Sequence, residues 1–304
     1  MPRTALSPQN PLPSQLISQR GNASASPWSL LLAATLAGAL TPGLAMAQDA
    51  DMTTSATTPT DSTSRWDVTV GAGGGVRPTY EGSNRHMTIA VPYVAVTYDN
   101  WLSLGPNGLN AYGTKGNLRF GGGVTGASGR LDHDSDNLFK LGDDRLRGLR
   151  EIQSAPGLRA FASYKLGRIN IGGSVTKFYG SSNHQGDPKN KGLLVSVGAA
   201  IPLRITEKLT ITTAIGATWA DAKYAQTFFG VTEAQSAHSQ FAPFKASSGL
   251  KSVDADLSIS YRFNRHWSVQ TLLQMKALTG NAAESPVTFA DNEASFFTTI
   301  NYHF

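Results

Sequence analysis

The chain contains no cysteine. A disulfide framework, a thiolate metal site and a cysteine nucleophile are therefore excluded. It is also poor in charge, with Asp, Glu, Lys and Arg making up 15% of residues. The 26 Lys and Arg against 21 Asp and Glu leave a formal charge of +5. That excess is spread along the chain and is too slight to argue for a nucleic-acid surface. No apolar run reaches the roughly 20 residues that a helix needs to cross a bilayer. No Gly-x-Ser-x-Gly, P-loop or His-Glu-x-x-His motif occurs, so neither an enzyme site nor a cofactor is expected. Gly71-x-Gly73-Gly74-Gly75 is rich in glycine, but no helix follows to receive a phosphate.

One short apolar run does occur. Residues 28–40, Trp-Ser-Leu-Leu-Leu-Ala-Ala-Thr-Leu-Ala-Gly-Ala-Leu, have the length of an export-signal core. Arg3 and Arg20 precede it, and no acid does. Pro42-Gly43 breaks the run, and Ala45-Met46-Ala47 fits the small-x-small cleavage rule. Residues 1–47 are thus expected to be a signal peptide, with Gln48 as the first mature residue. Residues 48–65, rich in Thr, Ser, Asp and Pro, read as a disordered linker on the periplasmic side. Residues 66–304 are expected to form one domain.

A mean hydropathy of −0.20 suggests a soluble protein. A barrel with lipid outside and water inside gives the same average, because its side chains alternate. The alternation is clearest at the C-terminus. Ala294, Phe296, Thr298, Ile300, Tyr302 and Phe304 share one face, and Ser295, Phe297, Thr299, Asn301 and His303 the other. The chain ends on an aromatic residue, like the terminal strand of outer-membrane barrels. Val253, Ala255, Leu257, Ile259, Tyr261 and Phe263 likewise alternate with Asp254, Asp256, Ser258, Ser260 and Arg262. A dry core would penalise those charges, whereas a watery lumen accepts them. Tyr261, Phe263 and Trp267 suit an aromatic girdle at the membrane interface.

Weaker copies of the pattern cover 66–76, 87–98, 117–127, 156–166, 168–179, 191–202 and 208–220. Residues 101–112 are ambiguous, because Pro106-Asn107-Gly108 can split them. Short turns at 99–100, 167–168, 203–207 and 264–265 alternate with long connections at 128–155, 180–190, 221–250 and 278–293. Together these predict an all-β fold, a transmembrane antiparallel up-and-down barrel with both termini periplasmic. Twelve strands follow if 101–112 is two strands, and ten is the alternative.

Several segments carry chemistry. Asp132, Asp134 and Asp136, with Asp143 seven residues beyond, sit at positions 1, 3, 5 and 12 of a calcium-type loop. Asn137 stands where that loop has glycine, and Lys140 falls at position 9, so a solvated acidic loop accounts for the same residues. His266 and His303 are expected near each other at one rim, as a metal pair or a pH-sensitive contact. Arg145, Arg147 and Arg150 share a loop that could bind lipopolysaccharide phosphate or pair with its own acids. Phe228-Phe229 could anchor a partner or fold into the barrel mouth. The short turns carry Arg168, Arg204 and Arg265, a basic rim suited to an acidic periplasmic partner.

Four segments resemble the MltA-interacting protein family, also called MipA/OmpV. They are Pro78-Thr79-Tyr80-Glu81-Gly82-Ser83, Arg145-Leu146-Arg147-Gly148-Leu149, Gln226-Thr227-Phe228-Phe229-Gly230-Val231 with Gln235-Ser236, and Gly280-Asn281-Ala282-Ala283-Glu284-Ser285-Pro286-Val287. Asn281 and Glu284 stand where the family element has aspartates. The resemblance covers residues 66–304. It implies an outer-membrane barrel in contact with lipid and lipopolysaccharide. It also implies a scaffold joining a lytic murein transglycosylase to a penicillin-binding protein. A narrow porin and an adhesin are the alternatives.

Overall fold

The computed structural model describes residues 65–135, 138–182 and 188–304. The export segment with its cleavage site, residues 48–64 of the linker, and Asp136 lie outside the described residues.

Alternating side chains make twelve strands, because each strand has one lipid-compatible and one polar face. They are β1 (Trp66–Pro78), β2 (His86–Tyr98), β3 (Leu102–Gly105), β4 (Gly108–Lys115), β5 (Leu118–Ala127), β6 (Ala155–Leu166), β7 (Ile169–Tyr179), β8 (Lys191–Arg204), β9 (Leu209–Ala220), β10 (Gly249–Arg262), β11 (Trp267–Leu278) and β12 (Asn292–His303). Each pairs antiparallel with its neighbours in sequence. β12 closes the barrel on β1, from Thr69 opposite His303 to Val76 opposite Phe296.

The ambiguous segment 101–112 is two strands. Gly108 turns the chain at φ +91°, a conformation side chains rarely adopt, and a Cβ there would strike the Val124 carbonyl. This settles the count at twelve. The resulting hairpin is short. β2 pairs with β1 along its whole length but with β3 only at Val96–Tyr98.

The outer face is apolar. Phe120, Leu158, Val197, Ile215, Met275, Phe296 and Ile300 are all exposed there. The inner rows are mostly polar and buried, including Thr125, Arg159, Thr176, Ser196, Asp256, Ser258, Thr299 and Asn301. A soluble protein would invert this arrangement, and lipid outside explains it.

The start of β1 and the end of β12, together with the turns at 99–101, 116–117, 167–168 and 263–266, lie at one end of the barrel, the turn end. Aromatic side chains ring that end. Trp66 packs on Tyr98 at 4.5 Å between centroids, Tyr261 on Phe263 at 5.2 Å, and Tyr302 on Trp267 and Phe304 at 5.1 and 4.9 Å. The long connections gather at the opposite, loop end. There they build the two largest buried apolar clusters among the described residues.

Candidate functional site

Four connections form a packed cap over the loop end, in their described residues 79–85, 128–135 with 138–154, 221–248 and 279–291. The first is tight. Gly82 holds φ +99°, its N–H donates to Glu293 Oε1, and its carbonyl accepts from the Phe289 and Ala290 N–H groups at 2.6 and 3.0 Å. That turn aims Tyr80 into the cap, where it is 1% exposed. Its ring packs with Leu146, Leu149, Val231, Phe241 and Val287, and its hydroxyl donates to the Val287 carbonyl at 3.0 Å. Burial pushes the Tyr80 hydroxyl above its usual range.

Asp143 fastens the second connection. It is fully buried. Its carboxylate accepts from Arg145 Nη2 at 3.0 Å, Arg145 N–H at 3.0 Å, Arg85 Nη1 at 3.0 Å and Thr79 Oγ1 at 2.9 Å. Burial disfavours the charged form, but the bonds from Arg145 and Thr79 and the Arg145 charge outweigh it and hold the carboxyl at about 2. The Asp143 charge in turn raises Arg85.

Asp221 starts the third connection by accepting from the Tyr224 N–H at 2.8 Å, which caps helix α1 (Ala222–Phe229). The buried face of α1, Tyr224, Ala225, Phe228 and Phe229, meets Phe178, Leu278 and Ala282. The terminal carbonyls of α1 find side-chain donors. Arg130 Nη1 donates to the Phe228 carbonyl at 2.7 Å, and Ser285 Oγ to the Phe229 carbonyl at 2.5 Å. Burial lowers Arg130 to about 10. A capping box at Thr232 and Gln235 opens the next turn, and Gln235 Nε2 reaches the Leu149 carbonyl at 2.7 Å.

Beneath the cap, Glu81 accepts from Lys251 Nζ at 2.7 Å and Lys276 Nζ at 3.1 Å, with all three side chains largely buried. This cluster ties the first connection to β10 and β11. Period-two reading marks Lys276 as lumenal but does not mark Lys251, which sits at a bulge between Leu250 and Ser252.

The family-motif residues converge here. Tyr80, Gly82, Ser83, Phe228, Phe229, Gly230, Gln235, Gly280, Ser285 and Pro286 come from three connections and meet in one cap, and Ser236 follows Gln235 in its short helix. Phe228 and Phe229 are 8% and 0% exposed, so they fold into the mouth and present no surface. Other singled-out residues are placed differently. Asp134 lies against Arg85 at 3.4 Å and against the Asp144 N–H at 2.9 Å. A guanidinium therefore stands between Asp134 and Asp143, where a calcium-type loop would hold its ion. Asp132 lies instead with His133 and Glu151. Arg145 and Arg147 are engaged with Asp143 and Asp144. His303 bonds Thr69 and Ser268 through its two nitrogens, while the His266 ring stacks on Tyr302, so the two rings form no metal pair.

At the turn end, Arg168, Arg204 and Arg265 are all exposed, with Lys115, Lys165 and Lys208 also on the rim and Glu207 among them.

Residues 70–304 match the family described as MltA-interacting protein MipA. No curated protein matches the chain in sequence. Solved structures similar to it include the NanC porin, at 11% identity over 78% of this chain and 98% of that one, with a TM-score of 0.37. OmpT, an outer membrane protein of Vibrio cholerae, is 9% identical over 80% and 99%, with a TM-score of 0.34. The outer membrane channel DcaP of Acinetobacter baumannii is 11% identical over 80% and 99%, with a TM-score of 0.33.

Proposed function

The chain belongs to the MltA-interacting protein family, and from that premise we propose that it is a non-enzymatic outer-membrane scaffold that docks murein enzymes on its turn end. The observation that carries this reading is the contrast between the two ends. At the loop end, the family-motif side chains Tyr80, Phe228 and Phe229 are buried within the cap. At the turn end, exposed arginines and lysines outnumber acids, and the N-terminal linker joins β1 at that same end. In this reading the turn end faces the periplasm, where a lytic murein transglycosylase and a penicillin-binding protein work.

A basic rim favours an acidic partner and an on-rate that falls with salt. Short turns offer little area, so the linker is expected to fold onto the partner and enlarge the contact. Pull-down from envelope extracts tests this. Reversing charge in Arg204→Glu with Arg265→Glu, or deleting residues 49–64, should weaken capture of a murein enzyme. Deleting 225–245 should not. Loss of capture on the loop deletion alone would overturn the docking face.

The polar inner rows favour a second reading, a narrow solute channel. Planar-bilayer recording separates the two, since a scaffold under a packed cap should pass little current. A steady, ion-selective conductance in the intact protein would put the channel first.

A further inference from the structure

We infer that Lys177 and Lys191 form a seat on the outer wall of the barrel for the phosphates of lipid A, the glycolipid anchor of lipopolysaccharide. Outward rows carry almost no charge. Among the described residues, the acids of the strands, Asp67, Asp254, Asp256 and Glu293, all stand in inward rows. Lys177 stands outward, opposite Leu158 of β6 and Leu193 of β8, and shares its row with exposed Val175 and Tyr179. Lys191 lies opposite Tyr179, so it too faces outward, and both lysines are exposed. They sit diagonally across the β7–β8 ladder, about 7–8 Å apart at Cβ. Tyr179 stands between them, its ring centroid 5.7 Å from Lys177 Nζ. The remaining lysine of an outward row, Lys115, is at the turn end.

The height of the pair matches a headgroup layer. Ile169 to Lys177 spans about 27 Å of strand at about 3.4 Å per residue, or about 21 Å of height at a tilt of about 40°. The apolar band of such barrels is about 25 Å tall, so the two lysines stand at its loop-end edge. Tyr179 and Trp219, an outward residue of β9 opposite Val195, mark the same level with aromatic rings. A lysine stem there can lie along the apolar wall while its ammonium reaches the headgroups. The cap adds to the patch. Helix α1 crosses the start of β8, where a Cβ on Gly192 would strike Tyr224. Thr227 Oγ1 lies 2.8 and 3.1 Å from the carbonyls of Lys223 and Lys189, and both of those lysines are exposed.

The anions found at that level of a bilayer are lipid headgroups. With the turn end facing the periplasm, the leaflet at the loop end is the lipopolysaccharide leaflet. Lipid A presents phosphates on a sugar pair above several acyl chains. Neighbouring ammonium groups suit a phosphate through charge-assisted hydrogen bonds. Leu158 and Val197, exposed at 55% and 57%, suit the chains below it. The seat rests on that orientation and not on the murein-enzyme reading.

Native mass spectrometry tests it. The protein, purified in uncharged detergent, would be titrated with bisphosphorylated lipid A, with phosphatidylglycerol or with inorganic phosphate. Lipid A is expected to stay bound, and Lys177→Gln with Lys191→Gln should lower its affinity about tenfold or more. Lys177→Arg with Lys191→Arg should keep it, as should Lys115→Gln at the turn end. A parent protein that retains no lipid A, or a double glutamine variant that retains as much as the parent, would overturn the seat. So would phosphatidylglycerol held as tightly as lipid A, or displacement of lipid A by millimolar phosphate. Orientation is read separately, since the chain has no cysteine. Ala237→Cys, exposed in the 221–248 connection, should react with a membrane-impermeant maleimide on intact cells. No reaction would place the loop end inside and overturn lipid A as the occupant, whatever the lysines bind in detergent.

Discussion

At the scale of single residues, the cap rests on a few polar anchors. Asp143 is the one with a pH signature. Its carboxyl sits at about 2 in the folded protein against an ordinary value of 3.8. A lowered folded value means that its contribution is fully present above the ordinary value and is lost as pH falls toward 2. Melting temperature measured from pH 5 to pH 2 should fall, and Asp143→Asn should remove that part of the slope. The same substitution should cost about 1–3 kcal/mol at neutral pH, since it removes the buried anion that Arg85 and Arg145 share. An unchanged slope would place the acid sensitivity elsewhere. The acidic loop was recognisable as a cluster, but its use was not. Arg85 lies 58 positions before Asp143, so no local spacing links them.

At the scale of strands, the alternation predicts which substitutions the bilayer resists. Leu257 belongs to the outward row of β10, and Gln270 of β11 to the inward one. Arginine on a lipid face near the membrane centre costs roughly 2–4 kcal/mol, and much less where water is near. Leu257→Arg should therefore destabilise the refolded protein by about that amount, and Gln270→Arg by under about 1 kcal/mol. Chemical denaturation in lipid vesicles reads the difference, and equal effects would contradict the facing of both strands. Helix α1 is the other element with a clear dependence. Removing its cap in Asp221→Ala should cost about 1 kcal/mol. Phe229→Ala should cost about 3–5 kcal/mol, because the ring is fully buried. Both losses should appear as earlier proteolysis of the 221–248 connection while the strand signal in circular dichroism persists.

At the scale of the whole molecule, barrel and cap are separable in energy. The barrel is closed by ladders that do not involve the connections, and the cap is held by its own buried clusters and by Glu81 on Lys251 and Lys276. Deleting 225–245 removes most of α1 and the Gln235 contact, so it should open the mouth without dissolving the barrel. Planar-bilayer conductance should then rise several-fold over the intact protein. No rise would mean that the remaining connections, or the inner wall itself, close the path.

The sequence by itself determined what depends on period two: the strand segments, the outward and inward rows, the turn end with its aromatic ring, and the inward place of Asp256, Ser258 and Lys276. Those follow because successive side chains of a strand point to opposite sides whatever the strand pairs with. It left twelve against ten strands open, since Pro106-Asn107-Gly108 turns the chain only through a positive φ and a close approach to Val124, a residue of another strand. Tertiary structure alone decided the rest. Tyr80 meets the Val287 carbonyl across 207 positions, and Glu81 meets Lys251 across 170. Such contacts depend on barrel closure and ladder register, which bring distant segments to one place and leave no local period to read.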